Sequence, residues 1–277
     1  MKKFFWVLLA VMVFSCGQND DTIKVKGSDT EVNLAVQLAE TFQEVTPDVF
    51  ISISGGGSGL GIASLLNGTT DIANSSRPIN VEEMKLFREE GIAIDSFIFA
   101  QDAVAIVVAK DLPLDSISTK QLAGILSGEY KNWSAVSTKN QPINIYGRQS
   151  NSGTHDYVKH QLDIQFSPRA KEMNGNAQIL EAIKSDDSGV GYVGAGYVVH
   201  GGSKGIKALP VYVESGAAAI SPLDGRMIAA GKYFFQRPLY QYFKVDSYQK
   251  LKPFLDFEKS AQGQRLIESA GYYPVSK

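Results

Sequence analysis

Apolar residues recur along this chain with two periods, and the switching between them predicts the fold. Ile23 and Val25 alternate with Lys24 and Lys26 and stop at Gly27, as a strand does. Leu34, Leu38 and Phe42 then recur at helical spacing, with Ala35 and Ala39 beside them, and Pro47 marks the end. Val49, Ile51 and Ile53 return to a period of two and run into a glycine-rich stretch at 55–61. A short helix around Ile62, Leu65 and Leu66 follows, then a short strand over 71–73 and an amphipathic helix over 81–90 closed by Gly91. This order favours a parallel sheet with helices on its faces.

Residues 97–108 are a long, mostly apolar stretch interrupted by Gln101 and Asp102, which predicts a buried strand running from one domain into another. Beyond it the spacing predicts strands at 143–146, 189–193 and 206–213, and helices at 120–126, 154–162 and 177–185. Residues 238–245 read as a strand, and 247–270 as mostly helical with a break near Gly263. There is no internal repeat and no low-complexity linker. The pattern predicts two α/β lobes joined by two or more strand crossovers, and leaves one continuous α/β sheet as the alternative.

The start of the chain reads as an address. Lys2 and Lys3 precede an apolar run over 4–14, then Ser15, Cys16 and Gly17, which is the layout of a secretory signal. The run is shorter than the roughly 20 apolar residues a spanning helix needs. Val13, Phe14, Ser15 and Cys16 resemble a bacterial lipobox, in which the thiol is lipidated and becomes the first mature residue. A cysteine that merely ends a signal is the other reading. Residues 1–15 are the expected signal peptide and 16–21 a polar, lipid-anchored tether. Cleavage there removes Lys2 and Lys3 and takes the net charge from −2 to −4.

Composition narrows the chemistry. Acidic residues outnumber basic ones by 29 to 27, so no excess charge is available for a nucleic-acid backbone. One Cys and three His exclude a zinc finger, an iron–sulfur site and a disulfide scaffold. Polar loops instead gather at four strand-to-helix junctions, where open α/β sheets bind ligands. They are residues 27–31 (Gly, Ser, Asp, Thr, Glu), 54–59 (Ser, three Gly, Ser, Gly), 74–78 (Asn, Ser, Ser, Arg, Pro) and 147–154 (Gly147 and Arg148 through Thr154). Any one of them could be a helix cap and no more. Together they suit capture of an anion. Free helix-terminal amides and the dipole favour negative charge, glycine admits an oxyanion to the backbone, and arginine adds a fixed charged fork.

Other chemistries fit less well. No Gly-Lys-Ser or Gly-Lys-Thr occurs, and Leu60 breaks both the dinucleotide-binding glycine pattern and a nucleophile elbow around Ser58. His155 and His160 diverge by about 140° on a helix, a poor metal pair. Ser152, His155 and Asp156 crowd one turn, where triad geometry is rare.

In order and spacing, the four loops resemble those of the PstS-type phosphate-binding proteins, the extracytoplasmic receptors of the phosphate ABC importer. Arg148 followed by Ser152, Gly153 and Thr154 is the most specific element, and Lys131, Asn132 and Trp133 resemble the family's Asn-Trp element. The resemblance covers roughly 22–277. It implies a two-lobed periplasmic-binding-protein-like fold of type II, each lobe a mixed sheet flanked by helices with the ligand in the interlobe cleft. Residues 22–101 with 241–277 would form lobe I and 102–240 lobe II. It implies that Thr30, Ser58, Arg148, Ser152 and Thr154 bind inorganic phosphate through their side chains, and Glu31 and Gly153 through their amides. Ser76 stands where some members place the aspartate that accepts the phosphate proton. Asp29 and Asp102 are candidate substitutes, Asp29 being equally suited to cap a helix. Ser28 is a further candidate, and Arg77 is either a ligand or the partner of a carboxylate. The resemblance further implies a monomeric receptor without cofactor, metal or catalytic residue, held to a bacterial membrane by lipid on Cys16 and delivering phosphate to an ABC permease. A receptor for sulfate, molybdate or phosphonate, a phosphate-ester hydrolase using Ser152 or Ser58, and a signalling or adhesive lipoprotein are the alternatives.

Overall fold

A computed structural model of the chain describes residues 22–200 and 204–275. The expected signal peptide, the tether and Cys16 lie outside these residues. In chain order the first half runs β1 (Ile23–Gly27), α1 (Val32–Val45), β2 (Ile51–Ser54), α2 (Ser58–Leu66), β3 (Ile72–Ser75), α3 (Val81–Glu89) and β4 (Ile94–Ala109). There follow β5 (Ile117–Ser118), α4 (Thr119–Leu126), β6 (Asn144–Arg148), α5 (Gly153–Leu162), β7 (Lys171–Met173), α6 (Asn176–Lys184) and β8 (Gly189–Gly194). The remainder is α7 (Ala195–His200), β9 (Ile206–Leu209), β10 (Val211–Tyr212), α8 (Gly225–Ala229), β11 (Gln236–Lys244), α9 (Tyr248–Lys259) and α10 (Ala261–Ser269).

The strand order among the described residues is β2-β1-β3-β11-β4-β8-β6-β7, with β9 also on β4. β1, β2 and β3 are parallel, and β11 is antiparallel to both β3 and β4. Two crossover strands hold the halves together. The first part of β4 pairs with β11, from Ile94↔Lys244 to Ala103↔Gln236, and its last part pairs with β8 and β9. Between Leu239↔Ala100 and Tyr240↔Ile98 the register shifts, leaving Phe99 of β4 without an opposite residue on β11.

Each lobe has its own core. Leu34, Leu38 and Phe42 from one face of α1 pack with Ile23, Val25, Phe99, Leu239, Phe254 and Ile267. Burying each such side chain contributes roughly 1.5–3 kcal/mol. Residues 103–108 of β4 are buried on both faces, which is why that stretch reads as a continuous apolar run, and they anchor the second core with Val158, Ile179, Tyr192 and Phe235. Trp133 lies fully buried there, its indole N–H donating to Ser188 O at 3.0 Å.

Two expectations need correction. Residues 206–213 are two strands, because Pro210 has no N–H for a ladder. Its carbonyl accepts from Ile117 N at 3.0 Å, and β10 pairs with β5 in a separate small sheet. The C-terminal helical stretch breaks at Ser260, whose extended backbone starts α10 and whose hydroxyl accepts from Gly263 N at 3.1 Å. Gly263 itself lies inside α10, where a side chain would run into the carbonyls of Phe257 and Glu258.

Candidate functional site

The four polar loops leave the carboxyl ends of β1, β2, β3 and β6, and backbone geometry draws them together. Gly27 has φ +144°, and a Cβ there would collide with Asn74 O, so only glycine lets β1 and β3 run this close into their loops. Ser28 N donates to Asn74 O at 2.8 Å, and Gly57 N to Gly27 O at 2.9 Å, which ties the first three loops into one wall. The fourth loop meets that wall from the other lobe. Gly59 N donates to Asn151 O, and Asn151 Nδ2 to Gly56 O, both at 3.0 Å.

Hydroxyls from both walls converge. Ser28 Oγ donates to Ser76 Oγ at 3.1 Å, Ser76 N donates to Ser58 Oγ at 3.1 Å, and the Ser58 and Ser76 hydroxyls lie 3.4 Å apart. Thr30 Oγ1 of the first lobe lies 3.0 Å from Thr154 Oγ1 of the second. All five side chains are buried. Gly153 faces them at the start of α5, so close that a Cβ would clash with Ser58 Oγ and stand 2.6 Å from Ser76 Oγ. The amides of Gly153 and Thr154 belong to the first turn of α5, where no intrahelical acceptor exists. Ser152 caps that helix, accepting from His155 N at 3.4 Å, which leaves its hydroxyl proton to donate.

Two guanidiniums border the cluster. Arg148, 2% exposed, lies 3.5 Å from Asp29 Oδ2 and donates to Asn174 O at 3.3 Å. Its Nε and Nη1 are buried without a hydrogen-bond partner among the described residues. Burial lowers its pKa and the neighbouring Asp29 carboxylate opposes that shift. Arg237, 1% exposed, donates from Nε and Nη2 to Asp102 Oδ2 at 3.0 and 2.8 Å, and from Nη2 to Thr154 Oγ1 at 3.1 Å and Thr30 Oγ1 at 3.3 Å. Burial pushes the Asp102 carboxyl up and Arg237 holds it down. With each arginine beside an aspartate, neutral dipoles outnumber uncompensated charges.

The other candidates take definite places. Asp29 does not cap its own helix, since α1 has Glu31 at its N-cap with no side-chain bond. It caps α6 of the other lobe instead, accepting from Asn176 N at 2.9 Å and Asn176 Nδ2 at 2.8 Å. The Glu31 amide is turned back to Ser28 O at 3.2 Å rather than into the cluster. Its carboxyl is fully buried, and burial raises its pKa well above the ordinary range. Arg77 commits its fork to Glu83 at 2.6 and 2.7 Å, with Asp156 at 3.8 Å, so of its two readings the geometry matches the carboxylate partner. The Ser152, His155 and Asp156 side chains diverge, because His155 Nδ1 bonds Arg148 O and Asp156 faces Arg77 and His160. Among the described residues no three His, Cys, Asp or Glu side chains group as metal ligands.

Sequence reasoning missed Arg237, Asn176 and Asn151. A signal for Arg237 exists: it shares the inward parity of Leu239 in a strand whose other face is half-exposed. Asn176 and Asn151 carry no such mark, since their partners are 147 and 95 residues away.

The chain is similar over most of its length to known proteins. Residues 15–261 match the model of the PBP superfamily domain. Over 94% of its length the chain is 30% identical to the phosphate-binding protein PstS of Staphylococcus saprophyticus, covering 82% of that protein. Over 90% of its length it is 28% identical to PstS of Pseudomonas aeruginosa, covering 81%. An ABC-type phosphate transport receptor from Vibrio cholerae superposes with a TM-score of 0.73 at 26% identity, covering 91% of this chain and all of that one. A candidate phosphate ABC transporter substrate-binding protein from Clostridium perfringens, solved with phosphate bound, shares the fold at a TM-score of 0.82 and 23% identity, covering 92% of this chain and all of that one. By loop order, lobe architecture and overall similarity, the chain belongs to the PBP superfamily and, within it, to the PstS family of phosphate-binding proteins.

Proposed function

We propose that this protein captures inorganic phosphate between its two lobes and hands it to an ABC importer. The observation that carries this reading is the meeting of the Ser58, Ser76, Thr30 and Thr154 hydroxyls, drawn from both lobes, against the free amides of α5. Hydroxyl and amide donors contributed by both lobes suit an ion that must be stripped of water and later released. Thr30, Ser58, Ser76, Ser152 and Thr154 donate hydroxyls, Gly153 an amide, and Arg148 its unpartnered N–H groups. Charge-assisted hydrogen bonds of this kind contribute roughly 1.5–3 kcal/mol each. Asp29 accepts the proton of hydrogen phosphate, since its Oδ2 is held by Asn176 and Oδ1 is the oxygen left for it. Sulfate brings no proton and would face that carboxylate anion to anion. Binding and release need no covalent step, so the protein acts as a receptor and not as an enzyme.

The lobes divide near the expected 22–101 with 241–277 and 102–240. The core changes between Ala100 and Ala103 on β4, in keeping with the first bound, and between Phe235 and Leu239 on the return strand, a few residues ahead of the second. The mature protein is a monomer outside the cytoplasm, tethered by lipid on Cys16. No helix among the described residues is long and apolar enough to cross a membrane. Titration calorimetry with phosphate, sulfate, molybdate and a phosphonate tests the ligand, with phosphate expected to bind tightest. A preference for another of the four would overturn the assignment. Membrane fractionation of Cys16→Ser tests the anchor, and a variant that stayed with the membrane would refute it.

A further inference from the structure

Arg237 was reached by no motif, and it touches more of the site than any other side chain. Register places it: on the paired crossover strands, Arg237 of β11 stands opposite Asp102 of β4. One guanidinium thus meets a carboxylate on its own rung, Thr30 of the first lobe, Thr154 of the second, and Ser76 O, the last at 3.4 Å from Nη1. Its other face lies over the Tyr157 ring, 5.4 Å from the centroid.

A guanidinium only donates, whereas a threonine hydroxyl has one proton and two lone pairs. Nη2 carries two hydrogens and has three acceptors, Asp102 at 2.8 Å and the two threonines at 3.1 and 3.3 Å, so one hydrogen is shared between the threonines. Each threonine oxygen then accepts from Arg237. The contact between them, at 3.0 Å, consumes only one of their two protons. The threonine that accepts in that contact has both lone pairs occupied, so its proton is left for another acceptor.

We propose that Arg237, held by Asp102, is a positioning residue that frees one hydroxyl of the Thr30–Thr154 pair to donate to the bound oxyanion once the lobes have met. The inference rests on the phosphate reading above. Asp102 thereby acts through Arg237, as the support of a donor and not as a contact of the ligand.

A double-mutant cycle tests this, with phosphate affinity measured for the wild type, Thr154→Val, the paired neutral variant Arg237→Gln with Asp102→Asn, and their combination. The paired variant removes both buried charges together and leaves neither unpaired. We expect it to bind phosphate about 10- to 100-fold more weakly. We also expect the combination to lose little more than the weaker-binding parent, because Arg237 works through the threonine. Losses that multiply, or an unchanged affinity in the paired variant, would overturn the proposal. If the paired variant does not fold, the same cycle run with Arg237→Lys reads the same coupling. A wild type that binds no phosphate would strike the functional assignment; a wild type that binds while the cycle shows no coupling strikes only this inference.

Discussion

The Asp29 carboxylate of the first lobe lies 3.5 Å from the Arg148 guanidinium of the second, while the same oxygen caps α6. One side chain therefore joins the lobes twice, through a charge and through a helix terminus. Removing Arg148 takes away the unpartnered charged donors of the site. Arg148→Ala is expected to weaken phosphate binding by about 2 kcal/mol or more, roughly 30-fold, as read by calorimetry. Asp29→Asn keeps the contact to Asn176 but cannot accept a second proton. The affinities for phosphate and sulfate should therefore draw together, and a ratio equal to that of the wild type would exonerate Asp29.

Gly153 separates binding from folding. Gly153 is the first residue of α5, where the interior helix advantage of alanine does not apply. An added methyl would push the lobes apart without entering either core, so Gly153→Ala should leave the far-UV circular dichroism spectrum without phosphate unchanged. Its methyl would occupy the space where Ser58 Oγ and Ser76 Oγ approach α5. Phosphate should then raise the melting temperature far less than it does in the wild type. An equal ligand-induced shift would show that the lobes do not close on this glycine.

Asn151 is a latch outside the hydroxyl cluster. Its backbone carbonyl contact to Gly59 survives substitution, but the Nδ2 bond to Gly56 O does not. Asn151→Ala should cost about 0.5–1.5 kcal/mol of phosphate affinity. In stopped-flow measurements that loss should appear as faster dissociation at nearly constant association. A slower association would mean that the side chain steers entry instead.

Glu258 predicts a pH dependence of stability. Burial lifts its carboxyl from 4.5 to about 8, with Gln241 Nε2 donating to it at 3.0 Å. Between those values the folded protein keeps a proton that the unfolded chain has lost. This group's contribution therefore falls as pH rises from about 4.5 to about 8 and then levels. Glu258→Gln should raise the melting temperature at pH 8, leave it near that of the wild type at pH 4.5, and flatten the slope between. Parallel curves for the two proteins would place the ionisation elsewhere.

The strands and helices were legible because their apolar residues keep one period within each element. α1 shows this most plainly, with Leu34, Leu38 and Phe42 all buried. The four loops were legible because serine, threonine and glycine crowd the junctions after strands. Roles that depend on partners far along the chain were not. Asp29 looks like the cap of the next helix and serves one 147 residues away. Arg77 looks like a second charged fork for the anion, yet Glu83 sits six residues on and takes both its terminal nitrogens. The short β7 and β5 escaped because one is polar at a sheet edge and the other is two residues long.

The place of β11 between β3 and β4 sets an order of assembly. β3 has β1 on one side and β11 on the other, and α9 and α10 supply much of the core that α1 needs. The part of the polypeptide that leaves the ribosome first is thus the part completed last. The later half can close its hydrophobic centre from one contiguous stretch, while the earlier half waits as an open-edged sheet for its missing middle strand to be made.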